Sequence, residues 1–287
     1  MSSPQFPNAF SPPFDLPPHT TPTSPLYITS EMDEQENVET SLNISLNTAT
    51  NDTEETHQLT HQLTHQLTHQ FRLTTTLPES AISPLFSGSE WAGTRIWRAA
   101  ELSVHYFLIN KWSGETFLEL GCGLGLLGHC LARLYIDKSF VVTDVESLLE
   151  QLEFNVPSSQ SNLKAFGLDW SSTNLIECER QTNNSKPFDL LVSTDCVYKP
   201  LYGTSFKLLA ECIISTLERN RNSVSLNFME RRNADGVEEW VDILEKAGLA
   251  VVKEDWGSKG CEEMQWSGEG KTAGVLEVYR VTNDVGS

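Results

Sequence analysis

The chain has 287 residues, 39% of them hydrophobic, and a formal net charge of −19 at pH 7. That length holds one medium domain plus extra segments, and the acidic balance argues against a broad nucleic-acid surface, which needs a basic face to neutralise phosphates. No stretch approaches the roughly 18 apolar residues of a membrane span and no basic-then-apolar leader opens the chain, so neither a membrane segment nor a signal peptide is expected.

Residues 1–86 are rich in Pro, Ser, Thr, Asn and Gln and lack apolar runs that would offset the entropy of ordering, so a disordered, low-complexity tail is expected there. Residues 1–89 carry ten Asp/Glu and one Arg, which leaves the remainder acidic too. Such a charge suits a basic protein segment as partner, although it also simply favours solubility. Within the tail Thr-His-Gln-Leu recurs from Thr56 to Gln70, spacing His57, His61, His65 and His69 four apart. On a helix these would share a face and could bind a metal. A low-complexity expansion is the plainer account, and no metal site is expected.

From Trp91 the pattern alternates helix and strand. In chain order we expect a helix over 95–110, a strand over Thr116–Leu120, a Gly-rich turn and a helix to Leu134. A strand from Phe140 to Thr143 ends at Asp144, and a helix covers 146–155. A strand over 163–168 stops at Asp169-Trp170. A strand over 188–193 leads into T-D-C-V-Y, and a helix covers 203–219 with Phe206, Leu209, Ala210 and Ile213 on one face. A strand over 223–229 and a helix over 235–247, closed by Gly248, complete the alternation. Residues 249–255 and 274–281 have no helix between them and should pair antiparallel. The units predict an α/β sheet with helices on both faces and right-handed crossovers. Seven strands in all separate this plan from the six parallel strands of the dinucleotide-binding fold.

Six cysteines, at 122, 130, 178, 196, 212 and 261, are scattered without a C-x-x-C pair or a Cys/His cluster. This fits reduced thiols in the cytoplasm or nucleus and leaves the sequons at Asn43, Asn51 and Asn183 as chance matches.

The strongest local signal is F-L-E-L-G-C-G-L-G-L-L-G, residues 117–128, an apolar strand running into glycines and then a helix. Gly121 and Gly123 permit a sharp turn and close approach to a ligand, and Gly128 permits a helix to lie near the sheet. Read from Gly123 the spacing is also G-x-G-x-x-G, so the motif alone leaves three accounts open: a dinucleotide loop, a different adenosine ligand, or a tight turn only. Asp144 ends the next strand, where a carboxylate accepts from ribose hydroxyls; as the alternative it caps the helix that follows. Asp169-Trp170 ends the third strand, where an indole would stack on a base with the carboxylate near its amino group. Trp97 would close the opposite side. Each tryptophan is otherwise a core residue. Thr194-Asp195-Cys196-Val197-Tyr198 ends the fourth strand, next to the crevice in which open α/β sheets bind ligands.

These pieces together resemble the class I methyltransferases, and among them the seven-strand protein-lysine methyltransferases of methyltransferase family 16. The resemblance rests on G-T-R-I-W-R-A-A (93–100), L-E-L-G-C-G-L-G (118–125), V-V-T-D (141–144), L-D-W (168–170) and D-x-x-Y at Asp195 to Tyr198. It spans about residues 90–281 and implies a Rossmann-like domain over 87–287 with strand order 3-2-1-4-5-7-6. By this likeness Trp97, Gly121, Cys122, Gly123, Asp144, Trp170 and Thr194 contact S-adenosylmethionine. Asp195 would attract and orient an incoming lysine, and Tyr198 would position its amine. The implied partner is an intracellular protein such as a chaperone or translation factor, met by a monomer. Arg98 stands where many members have Asp, and loop 256–271 aligns with nothing clear. Four rivals stay open: a methyltransferase acting on protein arginine or histidine; a methylase of nucleic-acid amines, whose Pro-Pro loop is missing here; a dehydrogenase; and a silent scaffold that binds the cofactor.

Overall fold

The computed structural model describes residues 27–31, 39–45, 67–72, 92–93, 96–110, 112–156, 158–255 and 275–283. Strands β1 (Tyr27–Glu31), β2 (Glu39–Ser45) and β3 (Leu67–Arg72) form an antiparallel sheet in that order. They fall inside the tail expected to be disordered, whose remaining residues lie outside those described. The local signal is the alternation E-T-S-L-N-I-S, which suits a pleated ribbon. His69 stands in β3, so its backbone is extended and not helical. His57, His61 and His65 lie outside the described residues, among which no His/Cys/Asp/Glu group could hold a metal.

The second sheet has seven strands: β4 (Thr116–Leu120), β5 (Ser139–Asp144), β6 (Leu163–Gly167), β7 (Leu190–Thr194), β8 (Val224–Glu230), β9 (Leu249–Glu254) and β10 (Leu276–Asn283). Their order is β6-β5-β4-β7-β8-β10-β9. The first five in that order are parallel, and β10 runs antiparallel to both of its neighbours. This is the predicted 3-2-1-4-5-7-6 arrangement with its antiparallel hairpin.

Side chains alternate across a strand, so each central strand feeds two cores. Phe117, Phe140, Val142, Leu190, Val192, Leu226 and Phe228 face one side, beneath α1 (Arg98–Ile109), α2 (Leu126–Leu134) and α3 (Leu149–Asn155). Leu118, Leu120, Val141, Leu191 and Met229 face the other, against α4 (Ser172–Thr182), α6 (Phe206–Arg219) and α7 (Val237–Lys246). Helix α2 lies so close to β5 that a Cβ on Gly128 would stand 2.1 Å from Val142 Cγ1.

Three elements depart from expectation. Trp97 is not within the helix but caps it in extended backbone (φ −96°, ψ 152°), so α1 starts later than 95. Helix α4 was not expected, because S-T-N-L-I-E-C-E-R-Q-T buries only a narrow stripe, chiefly Leu175 and Cys178. Its start is nevertheless marked: Ser171 Oγ accepts from the Asn174 N–H at 3.3 Å. The helix expected over 203–219 starts at Phe206 (α6), and Gly203 (φ +60°) separates it from an unexpected single turn before it, α5 (Lys199–Tyr202), started by Pro200.

Candidate functional site

Beyond β4 the backbone turns through Gly121 (φ +65°) and Gly123 (φ +56°), values that cost any residue with a Cβ. Space forbids a side chain there as well. A Cβ on Gly121 would lie 2.6 Å from Cys196 Sγ and 3.0 Å from Trp170 Cζ2, and one on Gly123 would lie 2.9 Å from the Gly93 carbonyl. Bare backbone therefore faces the crevice, and Trp170 and Cys196 close over it.

Asp144 ends β5 and accepts from the N–H groups of Gly123 at 2.7 Å and Val145 at 2.8 Å. Burial pushes its carboxyl above the usual carboxylate range, against the pull of those two donors. The carboxylate ties the glycine loop to the second strand. It does not cap the following turn, whose cap is Val145 without a side-chain bond.

Trp170, just past β6, holds left-handed backbone (φ +65°), a strain that bulky residues keep only where surroundings enforce it. Its indole Nε1 is buried without a hydrogen-bond partner among the described residues. Asp169 accepts from the Ser171 N–H at 3.0 Å and from Asn174 Nδ2 at 3.1 Å, and the bonds from Ser171 hold its carboxyl low. Trp97 donates from Nε1 to the Ala92 carbonyl at 2.8 Å, pinning the segment that crosses Gly123.

One cleft of about 1000 Å³, counted to its open mouth, is lined by Trp97, Gly121, Cys122, Gly123, Asp144, Trp170 and Thr194, all expected from sequence. Leu148, Leu168, Asp169, Cys196, Tyr202 and Ser205 line it too. Burial drives the thiols of Cys122 and Cys196 far up, so both are neutral walls and not nucleophiles.

Asp195 and Tyr198 are not among the residues lining this cleft. Asp195, also left-handed (φ +58°) and 6% exposed, is gripped by Arg232, whose Nη1 and Nη2 donate to its two carboxylate oxygens at 3.0 and 2.8 Å. Burial raises the Asp195 carboxyl, and the guanidinium opposes the rise. Arg232 also pairs with Glu230 at 2.8 Å and lies over the rings of Tyr198 (4.8 Å) and Trp97 (5.9 Å). Arg98 bonds the other Glu230 oxygen at 3.1 Å. Asp195, expected to attract and orient an incoming lysine, is paired with an internal arginine, in a chain Arg98–Glu230–Arg232–Asp195 beside the cleft wall.

Sequence reasoning missed Arg232 because the contact is made by sheet order. Strands β7 and β8 pair parallel with Thr194 opposite Phe228, so the E-R-R that ends β8 emerges beside T-D-C-V-Y. Tyr202 was missed because the turn carrying it, 199–202, falls between T-D-C-V-Y and the helix expected from 203, a stretch to which no element was given. Loop 256–271, with Cys261, lies outside the described residues.

A family model described as lysine methyltransferase matches residues 85–247, more than half of the chain. The chain is 30% identical over 126 residues to the secreted RxLR effector protein 48 of Plasmopara viticola, covering 40% of this chain and 64% of that protein. It is 26% identical over 106 residues to the protein-lysine N-methyltransferase rrg1 of Schizosaccharomyces pombe, covering 33% and 34%. Both matches span less than two thirds of those relatives' lengths. In fold the chain is similar to the crystal structure of a TehB-like SAM-dependent methyltransferase from Corynebacterium glutamicum, at 16% identity and a TM-score of 0.43 over 71% of this chain and 95% of that one.

Proposed function

This chain belongs to the lysine methyltransferase family, whose methyl donor is S-adenosylmethionine, and on that premise we propose that it methylates a lysine side chain of an intracellular protein. The observation that carries the proposal is the meeting of the glycine loop, Asp144 and Trp170 in one cleft. Their chemistry suits an adenosyl group: bare backbone at Gly121 and Gly123, a carboxylate at the end of the second strand, and a broad indole with an unsatisfied buried N–H. When bound, S-adenosylmethionine supplies a methyl carbon made electrophilic by its sulfonium.

The chain's own residues have three tasks. Asp144 and the glycine loop fix the ribose end, and Trp170 and Trp97 wall the cleft, so that acceptor and donor meet in one orientation; such positioning carries much of the acceleration available to a displacement. An acceptor lysine must also be neutral to attack, whereas its reference pKa is about 10.4. Arg232 lies over the rings of Tyr198 and Trp97 with its charge met by Asp195 and Glu230, so the cation that favours the unprotonated amine is the bound donor's own sulfonium. Asp195 serves by anchoring Arg232, and the released proton passes to water. The net charge of −19 supports a basic segment as the acceptor's surroundings.

The test is calorimetry with S-adenosylmethionine and with NAD, followed by tritiated methyl transfer into a lysate resolved by size and mapped by mass spectrometry. Binding of the first nucleotide only and a labelled protein band bearing methyl-lysine are expected. Label in nucleic acid, methyl on another residue type, or binding without any labelled band would each refute the proposal.

A further inference from the structure

With Asp195 held by Arg232 and the Tyr198 ring covered by the same guanidinium, neither residue of the D-x-x-Y pair lines the cleft. Another phenol stands there. Tyr202 lines the cleft together with Thr194, Cys196 and Ser205, yet it lies one helical turn beyond Tyr198, whose carbonyl accepts the Tyr202 N–H at 2.9 Å. Its carbonyl in turn accepts from Ser205 Oγ at 2.8 Å, which fixes the turn on both sides. Among the described residues its hydroxyl has no hydrogen-bond partner, although the side chain is half-buried. Such a group is left to water or to a ligand in the cleft.

Tyr202 shares the cleft lining with Asp144 and with Thr194, the neighbour of Asp195, and that position identifies the ligand atom. Burial pushes its phenol far up, the charges of Cys196, Asp195 and Asp144 add to the rise and Arg232 opposes it, so the hydroxyl stays protonated at every ordinary pH. A neutral phenol has an oxygen lone pair for an N–H and serves as no base.

We infer that Tyr202, and not Tyr198, accepts a hydrogen bond from the acceptor nitrogen at the transfer end of the cleft and so aims its lone pair at the methyl. This rests on the cleft being the methyl-donor site. It makes Tyr202 a further residue of the reaction, supplied by the short turn after the motif.

Sinefungin, a donor analogue bearing an amine where the methylsulfonium stands, tests the contact without knowledge of the acceptor. Its affinity for the full chain is compared with that of S-adenosylhomocysteine, which lacks the group. One charge-assisted bond should favour the amine by about tenfold. Tyr202→Phe is expected to abolish that preference while S-adenosylhomocysteine affinity stays within about twofold, whereas Tyr135→Phe, outside the cleft, keeps both. A preference unchanged in Tyr202→Phe, or an equal loss for both ligands, overturns the inference. Failure of either ligand to bind the unaltered chain overturns the donor-site proposal instead.

Discussion

Arg232 clasps Asp195 through both of its terminal nitrogens, at 3.0 and 2.8 Å, although Asp195 holds left-handed backbone and is 6% exposed. Removing one partner strands a buried carboxylate, which typically costs about 3–5 kcal/mol. Arg232→Met should therefore lower the thermal midpoint by several degrees or more. Adding Asp195→Asn should restore most of the loss, because no charge then remains unpaired. Circular-dichroism melts of the two single variants and the double variant check this; strictly additive losses would show that the pair is not coupled.

Asp144 gathers the Gly123 and Val145 N–H groups, so Asp144→Ala frees the glycine loop and removes the carboxylate from the cleft. Affinity for S-adenosylmethionine should fall at least tenfold by calorimetry, with secondary structure unchanged. Asp144→Asn retains one acceptor oxygen and should fall between the two. Wild-type affinity in the alanine variant would remove Asp144 from the donor site.

Gly121→Ala meets both a positive φ and two side chains, Cys196 and Trp170, whereas Gly248 has a positive φ of +82° and nothing within 4 Å of an added Cβ. Both substitutions carry a backbone cost of about 1–2 kcal/mol. Only Gly121→Ala should also weaken donor binding, by displacing Trp170. Melting and calorimetry on the two variants separate the effects, and equal donor affinities would contradict the contact.

Glu119, buried in β4, accepts from the Gly128 N–H at 2.9 Å through one oxygen while the other has no partner. Burial raises its carboxyl from 4.5 to about 8, so the folded chain binds a proton that the unfolded chain has released. The associated stability is complete below pH 4.5 and is lost as pH rises towards 8. Glu119→Gln should flatten the decline over that window in denaturant titrations at several pH values. An unaltered slope would mean that another group governs it.

The sheet was legible because its central strands are buried on both faces and read as apolar runs, and because the last two lack a helix between them. The cleft was legible for a related reason: its residues sit at strand ends, which the alternation of elements locates. Helix α4 escaped because Leu175 and Cys178 form too thin a stripe to stand out from eleven mostly polar residues. Arg232 and Tyr202 escaped for different causes, the first brought in by the neighbouring strand and the second carried on a four-residue turn too short to show as a periodic pattern. Asp195 was found without its partner, since a motif names a carboxylate without naming the cation beside it.

The Ala92–Gly93 segment, held by the Trp97 indole and laid across Gly123, has a practical bearing on dissecting the chain. A shortened protein that starts at the first helix would keep all seven strands of the second sheet and still lack one wall of the cleft. Its fold could pass every spectroscopic check while its hold on the nucleotide failed, so the smallest working unit must begin upstream of residue 92.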